Sequence, residues 1–250
     1  MSRLKESYGH LHPVTQVITE MTDFFVSLGF TVAQGPEVEE EWYNFDALNT
    51  PPDHPSRDMQ DTFWLEPIKD RRLLRTHTSP VQIRFMEKEK PPIRVIAPGR
   101  VYRNESIDAT HEAQFHQVEG LMVDEVVSLA HLKGVLEKLC RALFGTETEI
   151  RLRPSYFPFV EPGVEVDVSC FKCRKKEGVS GCSICKSSGW IEILGAGLVH
   201  PEVLRSVNLD VDRWQGLAFG VSPERVAMMK YGIDDIRLFY NSDLRVLGQF

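Results

Sequence analysis

Arg103, Glu105, Gln117 and Glu119 are the residues best equipped for chemistry in this chain. They lie on either side of a polar loop, in segments whose residue character alternates with period two. Val101, Arg103 and Glu105 alternate with Tyr102 and Asn104, and Phe115, Gln117 and Glu119 alternate on the return. That alternation puts Arg103, Glu105, Gln117 and Glu119 on one face of a hairpin. A guanidinium, two carboxylates and an amide are costly to bury without partners. The face either meets a polar ligand or stays solvated as a set of surface ion pairs. A guanidinium fork suits a phosphate or carboxylate oxygen. Glu119 suits an ammonium and Glu105 a base amine, so the set fits ATP together with an amino acid.

A second group is Cys170-x2-Cys173-x8-Cys182-x2-Cys185. Two Cys-x-x-Cys turns can set four thiolates tetrahedrally around one zinc. Iron on the same ligands is the competing metal, and two disulfides would need an oxidising compartment. Four thiolates leave no open coordination position, so the expected Zn2+ is structural. Cys140 lies on a helical pattern and reads as a small core residue.

The elements that must position these residues follow from periodicity. Val14, Val17, Ile18, Met21, Phe24, Phe25 and Leu28 recur at helical spacing and predict a helix over 13–28, stopped at Gly29. Residues 30–33 are strand-like and end at Gly35-Pro36. Residues 37–48 return to helical period, with an acidic first turn that suits a helix N-terminus. Residues 49–62 are too rich in breakers for regular structure, and a loop of that length is often functional. Strands are expected at 63–66 and 73–75. Thr78 or Ser79 is placed to cap a helix with Pro80 at its first position. An amphipathic helix follows over 128–144, then a strand over 147–152. Phe157 and Phe159, two apart in an extended segment, can share a face and offer their rings to a third. Strands at 164–168 and 189–194 flank the cysteines, making them an elaborated hairpin tip. Gly195 and Gly197 imply close backbone approach. A helix over 202–207, a strand over 217–220, a helix over 223–231 and short helices at 235–240 and 242–247 complete the chain. Residues 1–10 form a short, flexible polar segment; 11–250 form one domain, with 169–189 as its zinc-knuckle insert.

At 250 residues the chain can bury a large core as a single domain. Its 42% hydrophobic and 26% charged content is that of an ordinary globular protein. No apolar run approaches the ~20 residues of a membrane span, and the N-terminus lacks a signal-peptide core. These point to a cytoplasmic protein with no membrane partner. The net charge of −7, from 29 basic against 36 acidic residues, argues against broad nonspecific nucleic-acid binding. Lys172, Arg174, Lys175 and Lys176 leave a local patch, read either as a solvated loop or as a contact to RNA or a partner.

Several words in the sequence carry a family likeness. Arg103-x-Glu105, the loop with His111, and Phe115 resemble motif 2 of the class II aminoacyl-tRNA synthetases. Gly29-Phe30 followed by Gly35-Pro36 resembles motif 1, and Phe219-Gly220-Val-Ser-Pro-Glu-Arg225-Val-Ala-Met resembles motif 3. Longer words choose within the class: Asn44-Phe-Asp-Ala-Leu-Asn-Thr-Pro-Pro-Asp-His, Arg75-Thr-His-Thr-Ser-Pro-Val-Gln82, Tyr156-Phe-Pro-Phe-Val-Glu-Pro162 and Lys230-Tyr-Gly-Ile-Asp-Asp-Ile-Arg237. Together, over roughly 11–250, these resemble the catalytic module of the phenylalanyl-tRNA synthetase α subunit.

The resemblance implies an α+β class II synthetase fold, an antiparallel sheet flanked by helices. It implies ATP-dependent activation of L-phenylalanine and transfer to tRNA(Phe), with Mg2+ accompanying ATP. Arg103 and Arg225 would be catalytic, bridging carboxylate and α-phosphate and clasping the γ-phosphate. Glu105 and Phe115 would hold the adenine, with His111 and Gly220 also at the nucleotide. His77, Ser79, Gln82, Gln117 and Glu119 would line the amino-acid site. Phe157, Phe159, Val160 and Ala218 would enclose the phenyl ring, and Glu192 would hold magnesium. Ser222 departs from the glycine common in motif 3. The expected partner is the family β subunit in an (αβ)2 assembly, or a second copy through motif 1. The family's N-terminal helical arm is not expected in this sequence. A synthetase-like relative that forms adenylate or binds ligand without charging tRNA is the alternative, as is a zinc knuckle that binds RNA or protein.

Overall fold

Val14, Val17, Met21 and Phe25 are buried at helical spacing and commit Pro13–Ser27 to helix α1. The helix stops where Gly29 adopts φ +83°. The structure, a computed structural model, describes residues 9–58, 61–171, 173, 182 and 185–250. Lys172, Arg174, Lys175 and Lys176 fall outside these. So does most of the N-terminal segment, 1–8.

Beyond α1, in chain order, come β1 (Thr31–Val32), β2 (Val38–Glu40), α2 (Glu41–Asn44), β3 (Arg72–Leu74), α3 (Ser79–Met86), β4 (Ile93–Tyr102) and β5 (Gln114–Asp124). Then follow α4 (Leu129–Phe144), β6 (Ile150–Phe157), β7 (Val160–Ser169), β8 (Trp190–Val199), α5 (Pro201–Ser206), β9 (Gln215–Val221), α6 (Pro223–Tyr231) and α7 (Leu244–Leu247). Short 3-10 turns occur at Asp46–Leu48, Pro55–Arg57, Ile68–Asp70 and Ile236–Phe239. Among the described residues the main sheet has seven strands in the order β1-β4-β5-β9-β8-β7-β6. Every pairing is antiparallel except β1 with β4. β2 and β3 form a separate small sheet.

One face of the large sheet is covered by helices. Phe25 of α1, Leu132, Leu136 and Leu139 of α4, and Val226 of α6 pack with Val118, Phe219 and Leu194. Burying each such side chain stabilises by roughly 1.5–3 kcal/mol. Cys140 lies in this layer, 1% exposed, and burial pushes its thiol up to about 12. The opposite face carries a second core, where Ile83 and Met86 of α3 and Val203 and Leu204 of α5 pack with Leu121 and Val123; Glu119, Ala218 and Gly220 share that face and line the site.

Two expectations fail near the start of the chain. Residues 37–48 do not form one helix. Val38–Glu40 pairs antiparallel with Arg72–Leu74, and only then come the short helical turns of α2 and Asp46–Leu48. Glu39 explains the change: its buried carboxylate accepts from Arg84 Nε at 2.9 Å and Nη2 at 2.7 Å. A helical start at 37 would forfeit that pair. Residues 63–66 form a single bridge, Trp64 to Leu73, rather than a strand. The remaining predicted elements are present, with ends shifted by a few residues; the predicted strand over 147–152 becomes the longer β6, Ile150–Phe157.

Candidate active site

β4 and β5 run antiparallel in register, with Gly99 opposite Gln117 and Ala97 opposite Glu119. Arg103 and Glu105 lie just beyond the end of β4, where the Arg103 amide still donates to Ala113 O at 2.9 Å. β5 then pairs with β9, setting Glu119 opposite Gly220 and Leu121 opposite Ala218. β8 sets Gly195 on the far side of Gly220. These registers gather side chains from distant parts of the chain above one sheet face.

They open onto a cavity of about 1300 Å³. The residues that the family likeness assigns to ATP, the amino acid and magnesium all line it: His77, Ser79, Gln82, Arg103, Glu105, His111, Phe115, Gln117, Glu119, Phe157, Phe159, Val160, Glu192, Ala218, Gly220 and Arg225.

Glu119 is the most constrained of them. Its carboxylate is 5% exposed and accepts from Ser79 Oγ at 2.5 Å, Gln82 Nε2 at 2.8 Å and the Thr78 amide at 3.2 Å. Burial pushes its pKa up to about 7, against the opposing pull of those bonds and of Arg103 and Arg75. The Ser79 hydroxyl is thus spent on Glu119 and not on a helix cap. Thr78 stands at the cap position of α3 without a side-chain cap bond, so the capping expected there is not made.

Arg103 places its guanidinium over the Phe115 ring, 5.1 Å from the centroid, and donates through Nε to Thr76 O at 3.3 Å. Burial lowers its pKa, but a guanidinium stays charged at any ordinary pH. His77 lies beside Phe159, with ring centroids 6.3 Å apart. Burial, then the charge of Arg103, push its pKa down to about 3, so the imidazole is neutral. His77 Nδ1 and Gln117 Oε1 are buried in the cavity wall without a hydrogen-bond partner among the described residues. Unmet buried polar atoms cost roughly 1–3 kcal/mol each. A ligand carrying an ammonium, a carboxylate or a hydroxyl would relieve that cost.

The aromatic end is built by close backbone approach. Phe157 and Phe159 stack with centroids 5.9 Å apart, not edge to face. A Cβ at Gly195 would come within 3.0 Å of Phe157 Cζ, and one at Gly197 within 2.6 Å of Pro162 O. Gly195 lets the Phe157 ring pack over β8, and Gly197 lets the Val160–Pro162 end of β7 come close beside it.

Arg225, exposed, and Ser222 also reach the cavity from the start of α6. Ser222 caps that helix, accepting from the Arg225 amide at 3.4 Å, and its hydroxyl donates to Glu224 at 2.7 Å. The serine that departs from the common motif thus has a structural task. Glu192 lines the cavity and pairs with Arg153 at 3.2 Å, beside the Arg153–Glu165 pair at 2.8 Å.

The four cysteines converge after β7 and before β8. Their sulfurs lie within 4.8 Å of one another, with Cys170–Cys182 at 3.9 Å and Cys173–Cys185 at 3.5 Å. Tetrahedral thiolates at the usual zinc–sulfur length would stand about 3.8 Å apart. The cluster could therefore hold a metal ion. Its neighbours Phe171 and Ile191 line the cavity.

The sequence reading missed the supports. Arg75, 3% exposed, donates to Arg100 O at 2.8 Å, Gly35 O at 3.1 Å and Pro36 O at 3.3 Å, tying the ends of three segments together. His111 does not reach across the cavity: its ring and amide both bond to Asp108, folding the β4–β5 loop on itself. A short Asp-x-x-His pattern was the available signal.

A family profile described as tRNA synthetases class II core domain (F) matches residues 2–250. The chain is 59% identical over 242 residues to the "Phenylalanine--tRNA ligase alpha subunit" of Trichlorobacter lovleyi, covering 97% of this chain and 69% of that protein. It is 56% identical over 244 residues to the protein of the same name in Bacillus subtilis, again 97% and 69%. A crystal structure of pyrrolysyl-tRNA synthetase from Desulfitobacterium hafniense superposes with a TM-score of 0.64 at 18% identity, covering 92% of this chain and 74% of that one. That likeness carries the fold alone. With the profile spanning nearly the whole chain and relatives this similar, the chain belongs to the class II tRNA synthetase core-domain family, among the phenylalanine–tRNA ligase alpha subunits.

Proposed function

We propose that this chain is the catalytic alpha subunit of a phenylalanine–tRNA ligase. It activates L-phenylalanine with ATP and passes the phenylalanyl group to tRNA(Phe). The observation that carries this reading is the convergence of Arg103, Glu119, His77, Gln117 and the Phe157–Phe159 pair on one cavity. The phenylalanine carboxylate attacks the α-phosphorus of ATP, the bond to the β-phosphate oxygen breaks, and pyrophosphate leaves. The terminal ribose hydroxyl of the tRNA then takes the acyl group and AMP departs.

No side chain acts as a nucleophile. Arg103 holds the carboxylate and α-phosphate together and offsets charge that grows in the transition state. Arg225 takes the γ-phosphate at the mouth. Glu105 and Phe115 hold the adenine, with His111 shaping the loop above it and Gly220 leaving room beside Glu119. Glu119, with Ser79, Gln82 and Gln117, holds the ammonium, and neutral His77 meets the amino acid at the ring end. Glu192 would hold the magnesium that accompanies ATP, and that ion would offset phosphate charge.

The phenyl ring lies against the Phe157–Phe159 pair, with Val160 beside it and Ala218 as its floor. Ala218→Gly is expected to raise kcat/KM for para-chlorophenylalanine by about tenfold relative to phenylalanine. Amino-acid-dependent ATP–pyrophosphate exchange measures it, and an unchanged ratio would remove Ala218 from the floor.

Zn2+ is the metal proposed for Cys170, Cys173, Cys182 and Cys185, as a structural ion. The double variant Cys182→Ser, Cys185→Ser is expected to fall from about one zinc per chain to under about a tenth. Metal analysis of the purified protein checks it; iron in the wild type, or zinc retained by the variant, would count against the assignment.

No helix among the described residues is long and apolar enough to cross a membrane. The proposed setting is the cytoplasm, and the proposed partner is a β subunit in an (αβ)2 assembly. The direct test of the activity is ATP–pyrophosphate exchange across a panel of amino acids, with and without the β subunit. Exchange driven by phenylalanine supports the reading. Exchange driven by another amino acid, or none from the complex, refutes it.

A further inference from the structure

Glu224 is fully buried, yet no role in the reaction has been given to it. Its Oε1 accepts from the His116 amide at 2.9 Å, from His116 Nδ1 at 2.7 Å and from the Tyr240 hydroxyl at 2.6 Å. Its Oε2 accepts from Ser222 at 2.7 Å. A carboxylate taken wholly out of water is tolerated only when its lone pairs are met in this way. The partners come from elements far apart in sequence. His116 sits on β5 between Phe115 and Gln117. Ser222 is the cap of α6, and Arg225 is the next residue after Glu224. Tyr240 follows the turn Ile236–Phe239, whose Ile236 amide donates at 2.9 Å to Ala109 O in the β4–β5 loop.

We infer that Glu224 is a positioning residue: it locks the Arg225 end of α6 against the Phe115 segment of β5, fixing the two nucleotide-binding elements relative to each other. The inference rests on the reading that Phe115 and Arg225 hold ATP. A single carboxylate does this because it bonds both elements at once. It also clamps the C-terminal turn that holds the β4–β5 loop in place. Tyr240 stays a donor: burial, then the charge of Glu224, push its phenol well above its ordinary pKa. Phenylalanine meets other residues, so the expected signature is confined to ATP.

The test is ATP–pyrophosphate exchange by the complex of this chain with its β subunit, titrating ATP and phenylalanine separately. Tyr240→Phe is expected to raise KM for ATP about threefold and Glu224→Gln about tenfold. KM for phenylalanine is expected to stay within about twofold of wild type. Active-site titration and thermal melts separate this from loss of folded protein. A residue that only supports the fold would lower Tm and the fraction of active sites while leaving KM for ATP unchanged, and that result overturns the proposal. Should Glu224→Gln fail to fold, Tyr240→Phe, which keeps the ring, decides alone. Wild type without any ATP-dependent exchange would instead overturn the nucleotide reading, and this inference with it.

Discussion

Arg103→Ala lowers kcat/KM for phenylalanine-dependent ATP–pyrophosphate exchange by about 10³. The guanidinium lies in the wall of the cavity, over the Phe115 ring and bonded through Nε to Thr76 O. In the proposed reaction it alone touches both the attacking carboxylate and the phosphorus under attack, so its loss is felt chiefly in the transition state. The fall should appear in kcat as well as in KM. Arg103→Lys is expected to recover less than about a tenth of the activity, because an ammonium cannot form the two-pronged contact. A loss under about tenfold in a folded Arg103→Ala protein would take this residue out of the reaction centre.

Glu119→Gln raises KM for phenylalanine by about 10². An ammonium bound by a buried carboxylate loses its counter-charge, and the new amide faces the donors of Ser79, Gln82 and Thr78. The pH dependence follows from the same burial. The carboxylate binds the ammonium only when ionised, and its pKa without ligand is raised to about 7. KM for phenylalanine should therefore be flat above about pH 7 and climb about tenfold per unit below it. The sign for stability is opposite to that of a salt-bridged acid. The native state holds this proton more tightly than the unfolded chain, whose carboxyl has its ordinary value of 4.5. Stability from this group is greatest below about 4.5 and declines by about 3 kcal/mol as pH rises to about 7. KM that stays level from pH 6 to 8 in the wild type, or matches it in Glu119→Gln, would remove Glu119 from the ammonium site.

The parts of the fold that were legible in the sequence are those decided locally. α4 carries Leu132, Leu136, Leu139 and Leu143 on one stripe with Ser128 as cap, and its limits followed from the pattern. The β4–β5 hairpin was readable from alternation, because one face is core and the other carries the site. Residues 37–48 were not readable. Their outcome depends on Arg84 and on strand β3, both far along the chain, and tertiary pairing overrode the helical period. Within the site, Arg103, Glu105, Gln117 and Glu119 were legible from residue type and spacing. The aromatic pair needed the family likeness, since two phenylalanines in a strand are more often core. Glu224 and Arg75 stand within the motif words, but their supporting roles were not readable, because such a role has no pattern of its own. Its meaning lies in partners that only folding brings together.

The most direct test of the central claim is a crystal structure of the αβ complex with a non-hydrolysable phenylalanyl-adenylate analogue. The phenyl ring is expected against the Phe157–Phe159 pair above Ala218, the ammonium on Glu119, and Arg103 on the sulfamate or phosphate that mimics the reacting centre. An analogue bound outside this cavity, or bound within it with the ring turned away from Phe157 and Phe159, would contradict it.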